Sequence, residues 1–197
     1  MTVLNMVENI RRRHGWIQEA EALKRIGVAQ REFAGDTHCL LQELDITPET
    51  SPFADRYLLS EDTVSHVRSV KFLDAAEVEQ DKETLDLDYY IDGRYLYITD
   101  WDGNQITSYP ADLALIRVNA IHLPLTDIAI NETLDVEERF HKAILAKVYE
   151  DLYAETGNAQ MAMYYRGVYK DAVREGKKYA NMDGSYLHPG VVNNDIL

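Results

Sequence analysis

Residues 135–181 constrain this chain most, because they carry two helical patterns in succession joined by a Gly-Asn turn. In the first, Phe140, Ile144, Leu145, Val148 and Leu152 recur at spacings of four, one, three and four, which places them on one stripe of a helix. Such a stripe must be covered. At Thr156-Gly157-Asn158, Gly157 suits the left-handed conformation that ends a helix, and Asn158 can cap the next one. The second pattern runs from Ala159 to about Ala180, with Met161, Tyr164, Tyr165, Val168 and Ala172 on its apolar side and no proline to interrupt it. The pair is expected to form an antiparallel αα-hairpin that carries whatever sheet lies upstream.

A chain of 197 residues has room for one ordinary core, or one core with a small satellite, rather than two full domains. Its 46% hydrophobic and 27% charged content is that of a folded soluble protein, so disorder is not expected. No apolar run approaches the roughly 18 residues that a membrane span needs, and the first residues lack the basic-then-apolar order of a signal peptide. The expected location is the cytosol, with assembly there. A single cysteine, Cys39, has no internal disulfide partner and no metal-ligand neighbour at motif spacing, so it is expected to be buried filler. The formal charge of -14 repels phosphate backbones and anionic membranes, which disfavours tight nucleic-acid binding. It is compatible with lying beside DNA without gripping it.

Read in order, residues 3–14 form a helix capped by Thr2, with Leu4, Val7 and Ile10 on one side and Arg11, Arg12 and Arg13 at the negative end of its dipole. The three arginines also fit a phosphate site, but the helix end is the simpler reading. A second helix spans residues 17–34, buries Leu23, Ile26, Ala29 and Phe33, is weakened at Gly27 and stops at Gly35. Short apolar runs follow at residues 39–41, 57–59 and 67–72, with residues 45–55 as a connection. Residues 74–88 hold seven acids against one lysine, Lys82. That stretch reads as a solvated face or as a patch placed to repel something negative. Residues 89–91 turn at Asp92-Gly93 into residues 94–99, a second reversal at residues 101–104 leads into residues 105–109, and a third run at residues 113–123 alternates Ile116, Val118 and Ala120 with Arg117 and Asn119. A small antiparallel sheet with one wet face is expected. The tail beyond Lys178 passes through Pro189-Gly190 without helical periodicity.

Few residues here are arranged for chemistry. Glu138 and His141 have the three-residue spacing of a di-iron ligand pair, but no second Glu-x-x-His accompanies them. Asp100, Asp102 and Asn104 copy the opening of a calcium loop, yet Ile106 stands where that loop needs glycine and Asp112 where it needs glutamate. Cys39 beside His38 has no third residue to orient a base, and no phosphate-cradling glycine loop is present. No enzyme, cofactor or metal is expected. One charge pattern survives: Arg166, Lys170, Arg174 and Lys178 step by four along the second hairpin helix, with Asp171 and Glu175 nearby to neutralise part of it. Such a ridge would suit the acidic stretch of an identical neighbour.

The order of elements resembles the head-to-tail adaptor (connector) proteins of tailed bacteriophages, including the tail tubular adaptors of short-tailed phages. The echoes are Val28-Ala29-Gln30-Arg31-Glu32-Phe33, Arg56-Tyr57-Leu58-Leu59, Val67-Arg68-Ser69-Val70 and Tyr90-Ile91-Asp92-Gly93-Arg94-Tyr95-Leu96-Tyr97. Residues 115–124 and 164–178 complete a likeness that covers nearly the full chain, and its weight rests on order and spacing rather than on any one motif. It implies a dodecameric ring under the portal protein, with double-stranded DNA passing through the channel unbound and a tail or nozzle protein received below. The virion neck would then be its location, and no membrane would be involved.

The expected fold is therefore α+β: a helical bundle from residues 1–35 and 132–182, a strand-rich insertion at residues 36–131, and an extended tail at residues 183–197. Within that tail Tyr186, Leu187, Val191 and Val192 are candidate interface residues alongside the basic ridge. The rival expectation is a monomeric binding or regulatory module whose sheet holds a ligand or peptide.

Overall fold

The computed structural model of the chain describes residues 1–50, 52–59 and 64–182. The candidate tail residues Tyr186, Leu187, Val191 and Val192 lie outside the described residues. Among the described residues the chain is α+β, with five α-helices and two three-stranded antiparallel sheets. Among the described residues, its contacts divide it into a helical unit (residues 1–40 and 123–182) and a strand-rich unit (within residues 41–122).

In the helical unit α1 (Val3–Arg13) is capped by Thr2, whose hydroxyl oxygen accepts from the Asn5 N–H at 3.2 Å. It buries Val3, Met6, Val7 and Ile10, while Leu4, expected on that side, is exposed. Helix α2 (Glu19–Thr37) passes through Gly35 instead of stopping there. Thr37 donates its hydroxyl back to the Phe33 carbonyl at 2.7 Å, and His38 takes the left-handed conformation that closes the helix. A 3-10 turn (Glu138–Phe140) leads into α4 (His141–Glu155), which buries the stripe Ile144, Leu145, Val148 and Leu152. Gly157 at φ 73° and Asn158, whose side chain accepts from the Met161 N–H at 3.2 Å, start α5 (Ala159–Met182).

The phase of α5 differs from expectation. Tyr164 and Val168 are exposed, and the inward row is Ala162, Tyr165, Tyr169, Gly176 and Ala180. Two contacts fix that phase: the Tyr169 hydroxyl donates to Asp36 at 2.9 Å, and Gly176 sits where an added Cβ would lie 2.6 Å from Thr37 Cγ2. The core gathers Phe33 between Phe140 and Tyr169, with ring centroids 5.1 and 6.1 Å away. Burying each such side chain contributes on the order of 1.5–3 kcal/mol.

In the strand-rich unit β1 (Leu41–Ile46), β6 (Leu115–His122) and β3 (Val64–Leu73) form one sheet in that order. The second sheet runs β2 (Arg56–Leu58), β5 (Tyr95–Thr99) and β4 (Asp88–Asp92), with the one-turn helix α3 (Lys82–Leu85) before β4. One apolar cluster serves both sheets: Phe72, Ile116, Val118 and Ala120 from the first, Tyr57, Leu96 and Ile98 from the second. The alternation in β6 therefore has the expected sense, but the single sheet expected from consecutive hairpins is replaced by two. Strand β6 does not follow β5; it lies between β1 and β3, with Asp45 opposite Arg117 and Phe72 opposite Ile116. Residues 105–109 are not a strand. Only an isolated bridge joins Gln105 to Thr99, and Tyr109, ahead of Pro110, instead donates its hydroxyl to the Ala54 carbonyl at 2.7 Å. The β4–β5 turn closes on Asp92 and Tyr95, so Gly93 and Arg94 are its central residues and only Gly93 has positive φ.

Candidate functional site

The basic ridge on α5 divides into paired and unpaired members. Arg166 reaches across to α4, where its Nε donates to Glu150 Oε1 at 2.7 Å, and Glu150 is buried to 7% exposure. That arginine holds a buried carboxylate in place. Arg174 pairs with Asp171 one turn earlier at 3.0 Å, both well exposed. Lys170 and Lys178 have no ion-pair partner among the described residues and stand in solvent. The same outward side carries Met163 at 70% exposure, Tyr164 at 61% and Val168 at 36%, with open space over Gly167. Helix α5 therefore presents an apolar first half and a basic second half on its free side.

The second candidate surface lies on the outer face of the β2–β5–β4 sheet. Register places Arg56, Tyr97 and Tyr90 in one row and Leu58, Tyr95 and Asp92 in the next. The Tyr90 and Tyr97 rings stack at 4.7 Å and 1° from parallel, Tyr95 leans on Tyr97 at 6.3 Å, and the Arg56 guanidinium lies 4.8 Å over the Tyr95 ring. An open cleft of about 500 Å³ borders this face, lined by Phe53, Asp55, Thr99 and Gln105 with the two stacked tyrosines. Sequence reasoning places these tyrosines on a hairpin without identifying a surface. The usable signal is that Tyr90, Tyr95 and Tyr97 share one face once the two-residue turn is fixed at Gly93-Arg94.

The remaining chemical candidates are absorbed by structure. Both ring nitrogens of His141 face carbonyl oxygens, Met1 O at 2.7 Å and Val136 O at 2.9 Å, and Glu138 pairs with the Met1 amino group. Both side chains are thus taken up by Met1 and the Val136 carbonyl. Asp100 accepts from the Asn104 N–H at 2.6 Å and from its side-chain amide at 3.0 Å, and these bonds hold the Asp100 carboxyl below its usual range. His38 is a helix cap, and burial pushes the partly buried Cys39 thiol up, away from a thiolate. Among the described residues no three His, Cys, Asp or Glu side chains gather as metal ligands would, and no helix is long and apolar enough to cross a membrane.

The acidic stretch is more structured than a solvated loop. Asp74 accepts from the Ala76 and Val78 N–H groups at 2.8 and 2.9 Å, and Asp81 caps α3 by accepting from Glu83 N–H at 2.9 Å. Glu79 pairs with Lys71 at 2.7 Å, Glu77 with Arg117 at 3.1 Å and Asp88 with Lys82 at 3.3 Å. Much of its charge is therefore answered within the unit. No protein-family model matches the chain, and no curated protein matches it.

Proposed function

We propose that this chain is a structural protein of a tailed-phage neck, a ring-forming adaptor that joins the portal to the tail and lets the genome pass through its axial channel. The observation that supports it most is the free side of α5, where Met163, Tyr164 and Val168 precede Lys170, Arg174 and Lys178 on a chain of net charge -14. A subunit with one basic, partly apolar helix face and a surplus of carboxylates elsewhere can satisfy its neighbour head to tail, which closes into a ring when the rotation allows. The acidic balance suits a channel that must not hold DNA. On this reading the helical bundle is formed by α1, α2 and the α4–α5 hairpin, the strand-rich insertion is carried between its two halves in sequence, and residues 183–197 are an assembly tail. The partners are eleven further copies, the portal protein and a tail or nozzle protein, and the chain performs no turnover. It is assembled in the host cytoplasm and carried in the virion at the head-to-tail interface.

Quantitative mass spectrometry of purified virions tests this directly, with the chain measured against a capsid protein of known copy number. The expected result is a copy number compatible with one symmetric ring per particle. Absence from particles, or a copy number incompatible with such a ring, overturns the proposal. A second reading, a monomeric module that binds a ligand or peptide on its sheet, is favoured by the aromatic face and its cleft. It predicts absence from virions together with a monomeric mass in solution.

A further inference from the structure

Among the described residues no strand pairs with the β4 edge of the second sheet, and its register defines what can be added there. In β5 the Ile98 N–H donates to Asp55 O at 2.8 Å, so the even-numbered residues of β5 direct their main-chain groups toward β2. Tyr95, Tyr97 and Thr99 therefore bond to Asp92, Tyr90 and Asp88 of β4. The main-chain groups of Tyr89 and Ile91 consequently point away from the sheet, and nothing bonds to them among the described residues. An added strand would pair with those two residues and bring its intervening side chain opposite Tyr90, on the face already occupied by the Tyr90–Tyr97 stack. Two residues to either side, its side chains would stand opposite Asp88 and Asp92.

Charge decides the occupant. A second copy of β4 paired along the whole strand would set Asp88 against Asp92 twice, and like charges directly opposed across strands are unfavourable. The edge already accepts a cation of its own: Lys82 lies 3.3 Å from Asp88 and 4.1 Å over the Tyr89 ring. We infer that β4 is a docking edge for an extended segment of another protein with basic and apolar residues in the pattern basic-x-apolar-x-basic. Its apolar residue would extend the row Arg56–Tyr97–Tyr90, and its cations would answer Asp92 and share Asp88 with Lys82.

The test uses the full chain and a synthetic peptide in which threonine alternates with lysine, tyrosine and lysine. A control peptide carries glutamate in place of both lysines. Amide hydrogen exchange and titration by NMR are the readouts. The lysine peptide should slow exchange at Tyr89 and Ile91 and bind roughly tenfold or more tightly than the glutamate peptide, the scale expected for matched against opposed charges. Asp92→Lys should reverse that preference, and Tyr90→Ser should weaken both peptides while leaving the spectrum of the helical unit unchanged. Equal binding of the two peptides, protection elsewhere without protection at Tyr89 and Ile91, or no binding overturns the inference.

Discussion

Gly27 lies directly against the backbone of Thr126: a Cβ on Gly27 would stand 2.7 Å from the Thr126 carbonyl carbon and closer still to its oxygen. A glycine in the middle of a helix otherwise costs about 1 kcal/mol relative to alanine, so its presence in α2 needs this close approach as its reason. Gly35, two turns on in the same helix, meets only Leu123 Cδ2 at 3.5 Å, an ordinary contact. The two glycines should respond to alanine in opposite directions. Gly27→Ala should lose roughly 1–3 kcal/mol, because backbone must move to admit the methyl group. Gly35→Ala should gain about 0.5–1 kcal/mol. Urea denaturation of both variants checks the pair, and equal responses would show that the Thr126 backbone yields freely.

The Glu150–Arg166 contact makes a second, separate prediction. Glu150 is buried and Arg166 is exposed, so the arginine serves mainly to satisfy the carboxylate. Arg166→Ala should lower the melting temperature, and the double variant Arg166→Ala with Glu150→Leu should restore much of it. A melting temperature unaffected by Arg166→Ala would place Arg166 with the free cations of the ridge.

Part of this architecture is legible in the sequence. The α4 stripe at Ile144, Leu145, Val148 and Leu152 can be read because one helical face is apolar and the opposite face is not. Gly157 and Asn158 mark the hairpin because each supplies something that few residues can, a positive φ and a cap. The phase of α5 is not legible, since Tyr164, Tyr165, Val168 and Tyr169 offer two competing stripes. Distant groups choose between them, Asp36 through its bond to Tyr169 and Thr37 through its contact with Gly176. The sheets divide in the same way. The turn at Gly93 is local, whereas the placement of β6 between Leu41–Ile46 and Val64–Leu73 depends on pairings such as Asp45 with Arg117, which no periodicity encodes. For the ridge, four-residue spacing places Arg166 and Lys170 on one helical side but says nothing of a carboxylate waiting on the neighbouring helix.

His14 supplies a pH dependence of known sign. Its ring is buried against Tyr153, 4.7 Å between centroids, and its Nε2 has no hydrogen-bond partner among the described residues. Burial, reinforced by the neighbouring Arg13 charge, lowers its pKa below the ordinary histidine value. The folded chain thus binds this proton less readily than the unfolded chain. Stability should fall as pH drops below about 6.5, where the unfolded histidine begins to protonate, and keep falling until the lowered folded pKa is passed. His14→Phe should flatten this part of the profile. The check is the melting temperature of the wild type minus that of the variant, which should shift in favour of the variant between neutral and mildly acidic pH.

Lys170 and Arg174 carry the prediction that bears most directly on assembly. Neither touches the core, and the one pairing between them and described carboxylates is the exposed Arg174–Asp171 contact. Exposed helix pairs of this kind are worth only about 0.3–0.5 kcal/mol, so reversing both charges should leave the monomer nearly as stable as before. In a ring the same positions would face a carboxylate-rich neighbour, where the introduced like charges raise the cost at every repeated interface. Lys170→Glu with Arg174→Glu should therefore keep the wild-type melting temperature while the chain is lost from purified virions in a complementation assay. Tyr164→Ser on the same free side should weaken incorporation through lost apolar contact instead of charge, and adding salt should not deepen its defect. Normal incorporation of both variants would return this side of α5 to plain solvent, and a fall in melting temperature would mean that the residues are held within the subunit after all.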